Sequence, residues 1–282
     1  MTAISARTLV AGVAGAPVRH SLSPALHNAW LTASGIDGVY VAFAPPPGGF
    51  TRFANGLRGG AIRGLNVTAP FKEEALALAD RLSDRARRAG SANLLMFHDD
   101  GNVEADNTDG VGLLDAFAVQ APGFNPADGP VVILGAGGAA RGAAVAFLDA
   151  GAPQVVFINR NAARGAALAD MFGERTIALT IEAATPVLRT ASALINATPL
   201  GLHGGVGPIA PFASLARSSV VMDMVYRPIR TAWLEAATAS GLRTVDGLAM
   251  LIGQAKPSFE AFFGCPPPQI DVRSRAVATL EG

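Results

Sequence analysis

Short apolar runs recur along the chain, and nearly every one gives way to an amphipathic stretch or a Gly/Pro turn. In the first part, the runs Thr8–Val13, Val39–Phe43 and Gly64–Val67 predict strands. The patterns over Pro24–Ser34, Phe50–Gly59 and Pro70–Ala79 predict helices, with "APPPGG" (44–49) as a turn. "ANLLMFHDDGNVEADN" (92–107) reads as a hairpin turning at Asp100-Gly101. After a linker-like "QAPGFNPADGP" (120–130) comes "VVILGAGGAARGAAVAFLDAGAPQVVFINRN", which is strand, Gly-rich turn, helix, Gly stop and strand. Further strands are predicted at Ala193–Ala197, Val220–Met224 and near Arg243–Val245, with a helix near Thr231–Ser240. The last pattern, "DGLAMLIGQAKPSFEAFFG", is helical and should kink or break at Pro257. This alternation is that of βαβ units and parallel sheets, so the expected fold class is α/β.

Composition narrows the partners. Of 282 residues, 50% are hydrophobic and only 16% charged, which supports a large core and excludes a disordered chain. The 22 basic and 22 acidic side chains balance, so charge predicts neither a nucleic-acid nor a membrane surface and leaves a small molecule as partner. The single cysteine, Cys265, rules out an intrachain disulfide and a cysteine-rich zinc site. His20, His27, His98 and His203 form no metal-binding pattern, and no metal is expected. No apolar run reaches the roughly 18 residues of a membrane span. The apolar stretch Leu9–Val13 resembles a weak signal peptide but reads better as a buried first strand, which points to a reducing, cytoplasmic setting.

Gly135-Ala136-Gly137-Gly138-Ala139-Ala140 fits G-x-G-x-x-A between a strand and a helix. One glycine makes the turn, a second admits a pyrophosphate to the backbone, and Ala140 allows close helix–strand packing. The helix amides then face the phosphates. The next strand ends in Asn159-Arg160-Asn161, followed by Arg164, with no carboxylate for the ribose hydroxyls. Guanidinium groups there suit a 2′-phosphate, so NADP is expected over NAD.

Three polar islands precede this motif. They are "HSLSP" with Ser21 and Ser23, "NVTAPFK" with Asn66, Thr68 and Lys72, and "ADNTDG" with Asn107, Thr108 and Asp109. Each has an ordinary reading. Ser23-Pro24 and Thr68 suit helix caps, and Asp109-Gly110 suits a turn before a helix over Val111–Ala118. Lys72 is less ordinary. If Pro70 opens the helix, a cation follows at its positive end, where the dipole disfavours the ammonium form. A surface lysine reaching water and a lysine that trades protons both fit that position.

Taken together, the islands resemble the shikimate dehydrogenase family. The resemblance runs nearly end to end through "GAPVRHSLSPALHNAW", "GLNVTAPFKEEAL", "ADNTDGVGLL", "LGAGGAARG", "NRNAARG", "INATPLGL", "DMVYRP" and "DGLAMLIGQA". It implies two α/β domains with a cleft between them. These are a substrate domain over 1–110, an NADP-binding Rossmann-like domain over 111–246, and C-terminal helices over 247–282 returning to the first. It implies reversible, NADP-dependent reduction of 3-dehydroshikimate to shikimate in aromatic amino acid biosynthesis, with Lys72 and Asp109 as an acid–base pair. By the same resemblance Ser21 and Ser23 bind the substrate carboxylate, Thr68, Asn93, Asp109 and Gln254 its hydroxyls, and Tyr226 assists near the carboxylate. Ala136 to Ala140 lie under the pyrophosphate, with Asn159, Arg160, Asn161 and Arg164 around the adenosine phosphate. Thr198, Met224 and Gly247 lie on the path to the nicotinamide, although Met224 reads equally as a core residue.

Leu94, Asn161 and "INATPLGLHG" depart from the family pattern and bear on substrate and cofactor preference. A quinate/shikimate dehydrogenase is the nearest alternative. A nonenzymatic NADP-sensing regulator is a more distant one, disfavoured by the presence of both Lys72 and Asp109. A homodimer is compatible with the pattern and not required by it.

Overall fold

A computed structural model describes residues 4–281, which divide into two compact units, 4–108 with 254–281, and 109–253. The first unit begins β1 (Leu9–Ala14), α1 (Ser23–Ser34), β2 (Gly38–Phe43), α2 (Phe50–Asn55) and β3 (Gly64–Val67). It continues α3 (Lys72–Leu78), β4 (Arg81–Leu82), α4 (Asp84–Ala89), β5 (Leu94–Phe97) and β6 (Val103–Asp106). Its six strands lie in the order β2-β1-β3-β5-β6-β4. The pairs β1/β2, β1/β3 and β4/β6 are parallel, while β3/β5 and the hairpin β5/β6 are antiparallel, so this sheet is mixed. The run read as a first strand lies inside this sheet, with neighbours on both sides. Phe50, Leu65, Phe71 and Leu95 are fully buried in the core against it.

The second unit opens with α5 (Asp109–Gln120) and then alternates β7 (Val131–Leu134), α6 (Gly138–Asp149), β8 (Val155–Ile158), α7 (Ala162–Phe172), β9 (Thr176–Leu179) and α8 (Thr185–Leu188). It continues β10 (Ala193–Asn196), β11 (Val220–Asp223), α9 (Ala232–Ala239) and β12 (Arg243–Val245). All pairs are parallel, in the order β12-β11-β10-β7-β8-β9. This is a doubly wound sheet whose strand order reverses between β7 and β10, where such folds place a ligand beyond the carboxyl ends. Parallel strands covered on both faces read as unbroken apolar runs, as VVIL and VVF do here.

Two helices close the chain, α10 (Gly247–Phe263) and α11 (Val272–Glu281). The break expected at Pro257 does not occur, because α10 runs through it. Ala255, Phe259 and Phe262 beside the proline are fully buried and hold the helix against the loss of one amide bond. Pro70 is also not the first helical residue. The Ala69–Pro70 peptide is cis, the Phe71 N–H bonds the Thr68 carbonyl at 3.0 Å, and α3 starts at Lys72 itself. Neither Ser23 nor Thr68 caps a helix. Leu22 and Phe71 occupy those positions, with no side-chain cap bond. The helix expected over Phe50–Gly59 ends at Asn55, and Asp109 opens α5 rather than preceding it.

Candidate active site

In the first unit, buried amides and hydroxyls join across several elements. Asn93, beside the start of β5, accepts the Thr108 N–H on Oδ1 at 2.7 Å. Its Nδ2 reaches Thr108 Oγ1 at 3.0 Å and Gln254 Oε1 at 3.3 Å. Asn66, in β3, donates through Nδ2 to the Asn93 carbonyl at 3.1 Å and to Ser258 Oγ at 2.8 Å. The Tyr40 hydroxyl lies 2.8 Å from Asn66 Oδ1. Because Nδ2 already faces two acceptors, this oxygen needs a donor, and the phenol supplies it. Burial holds the Tyr40 phenol well above the ordinary range, an effect that the neighbouring Ser23 side chain opposes.

Ser23 is itself buried, and its N–H bonds Ser21 Oγ at 3.3 Å. Thr68 is fixed by its N–H on the Ala14 carbonyl, at 2.9 Å. Gly15 clears room for it, since a Cβ there would come within 2.3 Å of Thr68 Cγ2. Lys72 opens α3, half-buried, with its carbonyl accepting Ala92 N–H at 2.9 Å. The structure thus gathers Ser21, Ser23, Thr68, Lys72, Asn93 and Gln254 in one unit. Asn93 and Gln254 touch directly, Asn66 bonds Asn93, and Tyr40, beside Ser23, bonds Asn66. Asp109 and Tyr226 belong to the second unit. Asp109 is buried and covalently follows Thr108. Burial raises the Tyr226 phenol, opposed by the charge on Arg227.

Tyr40 and Ser258 were not singled out by the pattern. Both sit at apolar-looking positions, one in a strand and one on a helix face. Only a polar tip on an otherwise apolar stripe marked them.

In the second unit, Gly135 follows β7 with φ +114°, a backbone that side chains rarely adopt. A Cβ there would meet the Ala197 carbonyl and the Thr198 methyl at 3.1 Å. Gly137, extended at the start of α6, has nothing within 4 Å of an added Cβ, which leaves an open face over the amides of Gly138, Ala139 and Ala140. That is the cradle a pyrophosphate requires. Asn161 caps α7 by accepting the Arg164 N–H at 3.1 Å, and Asn159 Nδ2 bonds the Asn161 carbonyl at 2.8 Å. Arg160 and Arg164 are exposed at this tip, and Arg164 Nη2 reaches back to the Ala136 carbonyl of the Gly-rich turn at 3.4 Å. These residues fit a dinucleotide with an extra phosphate on the adenosine ribose.

Thr198 is pinned to Asn196 Oδ1 by its N–H at 3.0 Å and its hydroxyl at 2.7 Å. Gly247 lies where a Cβ would meet the Met224 carbonyl oxygen at 2.4 Å. No helix among the described residues is long and apolar enough to cross a membrane, and none of their His, Cys, Asp and Glu side chains group as a metal site.

A doubly wound sheet with a Gly-rich turn at its reversal point, and a second α/β unit with a buried amide–hydroxyl cluster, define a dinucleotide-binding protein of the dehydrogenase class. Residues 13–95 match the family model of the shikimate dehydrogenase substrate binding domain, and residues 121–200 that of shikimate / quinate 5-dehydrogenase. The chain belongs to the shikimate dehydrogenase family. A Caulobacter vibrioides shikimate dehydrogenase (NADP(+)) is 57% identical over 279 residues, covering 99% of this chain and 98% of the relative. The structure of shikimate 5-dehydrogenase from Thermus thermophilus, in complex with NADP(H) and shikimate, is 36% identical with a TM-score of 0.84, covering 97% of this chain and 98% of that one. Quinate dehydrogenase from Corynebacterium glutamicum, in complex with NAD, is 29% identical with a TM-score of 0.86, covering 97% and 99%.

Proposed function

We propose that this chain catalyses the reversible, NADP-dependent reduction of 3-dehydroshikimate to shikimate. The observation that carries the reading is the linked set Tyr40–Asn66–Asn93–Gln254, with Ser23 beside Tyr40, a run of neutral hydrogen-bonding groups buried in the interior. Such groups suit a polyhydroxylated acid, because each hydroxyl needs both a donor and an acceptor and amides supply both. Ser21 and Ser23 take the carboxylate, with Tyr226 assisting, while Thr68, Asn93, Asp109 and Gln254 take the ring hydroxyls.

The cofactor supplies the hydride when bound, held by Ala136 to Ala140 at the pyrophosphate and by Asn159 to Asn161 with Arg164 at the adenosine phosphate. Thr198, Met224 and Gly247 line the rest of its path. Lys72 gives a proton from Nζ to the ketone oxygen as it becomes an alcohol, and takes the proton back in oxidation. Asp109 orients that ammonium group. Removing the lysine should therefore leave the fold and cofactor binding intact while turnover falls about 10²-fold or more. We expect Lys72→Ala to show the wild-type melting temperature and NADPH dissociation constant with that loss in kcat, and Asp109→Asn to lose turnover with little change in binding. Turnover within a few-fold of wild type in Lys72→Ala would sink the catalytic assignment.

The family model spans shikimate and quinate enzymes, so a quinate/shikimate dehydrogenase is the second reading. Quinate carries an extra hydroxyl on the carboxylate-bearing carbon, next to the proposed positions of Ser21 and Ser23. The partners assigned by this reading are small molecules in a reducing, cytoplasmic setting, with Cys265 a free thiol.

A further inference from the structure

Asp223, the last residue of β11, is fully buried and faces Asn196, the last residue of β10, in register. Its Oδ1 accepts from Asn196 Nδ2 at 2.9 Å and from the Val225 N–H at 3.0 Å, and its Oδ2 from the Thr231 hydroxyl at 2.7 Å. The sense of each bond is fixed independently. Asn196 must present its nitrogen, because its oxygen accepts the Thr198 N–H. The Val225 N–H can only donate. Thr231 Oγ1 already accepts the Leu234 N–H at 3.2 Å, so its proton is directed at the carboxylate. Three donors converge on two oxygens, which is the environment of an ionised carboxylate. Burial pushes the Asp223 carboxyl up and the three donors offset only part of this, so it stays above its ordinary value. No cationic side chain among the described residues pairs with it.

This charge sits at the carboxyl edge of β10 and β11. That is the half of a doubly wound sheet that takes the second nucleotide of a dinucleotide, the first being taken by β7 and β8. It also fixes both loops there. Asn196 carries Thr198 and bonds the Leu200 carbonyl at 3.1 Å, while the Met224 N–H bonds the Asn196 carbonyl at 3.0 Å. The nicotinamide ring is cationic when oxidised and neutral when reduced. A fixed buried anion on its side of the sheet therefore discriminates between the two forms, and low-dielectric surroundings keep the effect from being screened.

We propose that Asp223 is a positioning residue whose buried charge favours NADP+ over NADPH, while its hydrogen bonds hold the Thr198 and Met224 loops. This rests on the cofactor reading above. The test titrates the full chain with NADP+ and with NADPH separately, without substrate, by calorimetry and nicotinamide fluorescence. Asp223→Asn keeps the shape and an acceptor for Asn196, and Asp223→Ser removes the same charge with a different shape. Both should weaken NADP+ relative to NADPH, moving the ratio of dissociation constants roughly fivefold to tenfold. Thr231→Val keeps the charge but removes one bond and the α9 cap, so it should lower the melting temperature and leave that ratio within about twofold.

A ratio unchanged in the folded charge-removing variants overturns the proposal. So does a ratio that shifts as far in Thr231→Val, since loop disorder alone would then account for it. Wild-type protein that binds neither form would instead strike down the cofactor reading itself.

Discussion

His27 lies in the core of the first unit with no exposed surface, and neither ring nitrogen has a hydrogen-bond partner. Its ring stacks on Tyr40 at a centroid distance of 4.0 Å and an interplanar angle of 4°, with Trp30, Phe259 and Phe262 around it. Burial among these rings lowers its pKa from 6.5 to about 3. The consequence for stability has a definite sign. Below pH 6.5 the unfolded chain takes up a proton that the folded chain refuses until about pH 3, so stability falls as pH drops through that window. At about 1.4 kcal/mol per pH unit, this one group should cost about 2 kcal/mol at pH 5 and almost nothing at pH 8.

His27→Phe keeps a ring on Tyr40 and removes the titration. Urea unfolding of wild type and variant at both pH values isolates the effect, because other titrating groups cancel in the difference. The variant should gain about 2 kcal/mol relative to wild type on going from pH 8 to pH 5. A difference that does not change with pH would refute the reasoning, whatever its size at either pH.

Two further outcomes follow from the sites. Tyr40→Phe removes the donor to Asn66 Oδ1, leaving a buried acceptor unmet at roughly 1–3 kcal/mol, or a few degrees of melting temperature. It should raise KM for shikimate more than it lowers kcat, and an unchanged melting temperature would count against the network. Arg160→Asp combined with Arg164→Ala should raise KM for NADP about tenfold or more with a far smaller effect on NAD, and equal effects would reject the 2′-phosphate assignment.

The second unit was more legible in the sequence than the first. Its strands are buried on both faces, so VVIL, VVF and ALIN stand out as apolar runs, and the missing carboxylate after Ile158 is visible in the letters Asn159-Arg160-Asn161. The helix end at Asn55 and the delayed start at Lys72 were not visible, because backbone turns set them, with the Gly56 N–H on the Phe53 carbonyl and the Phe71 N–H on the Thr68 carbonyl. Pro257 does not end the helix, although propensity for an isolated helix would have it so, because α10 is held by buried Phe259 and Phe262. The pattern marked Ser23 within a polar island, and the family resemblance pointed to Asn93 and Gln254. The network that joins Asn93 and Gln254 to Tyr40, Asn66 and Ser258 depends on pairing β3 with β5 and on α10, which lies far along the chain from both strands. The pairing of Asp223 with Asn196 is invisible in the sequence for a related reason. Each closes an apolar strand, and only the β10/β11 register shows that they face each other.

The most direct measurement of the central claim is steady-state kinetics of the full chain with shikimate and with quinate, each against NADP and NAD. The account predicts the highest kcat/KM for shikimate with NADP, and a loss of about tenfold or more on changing to NAD. A preference for quinate, or equal use of the two cofactors, would contradict it.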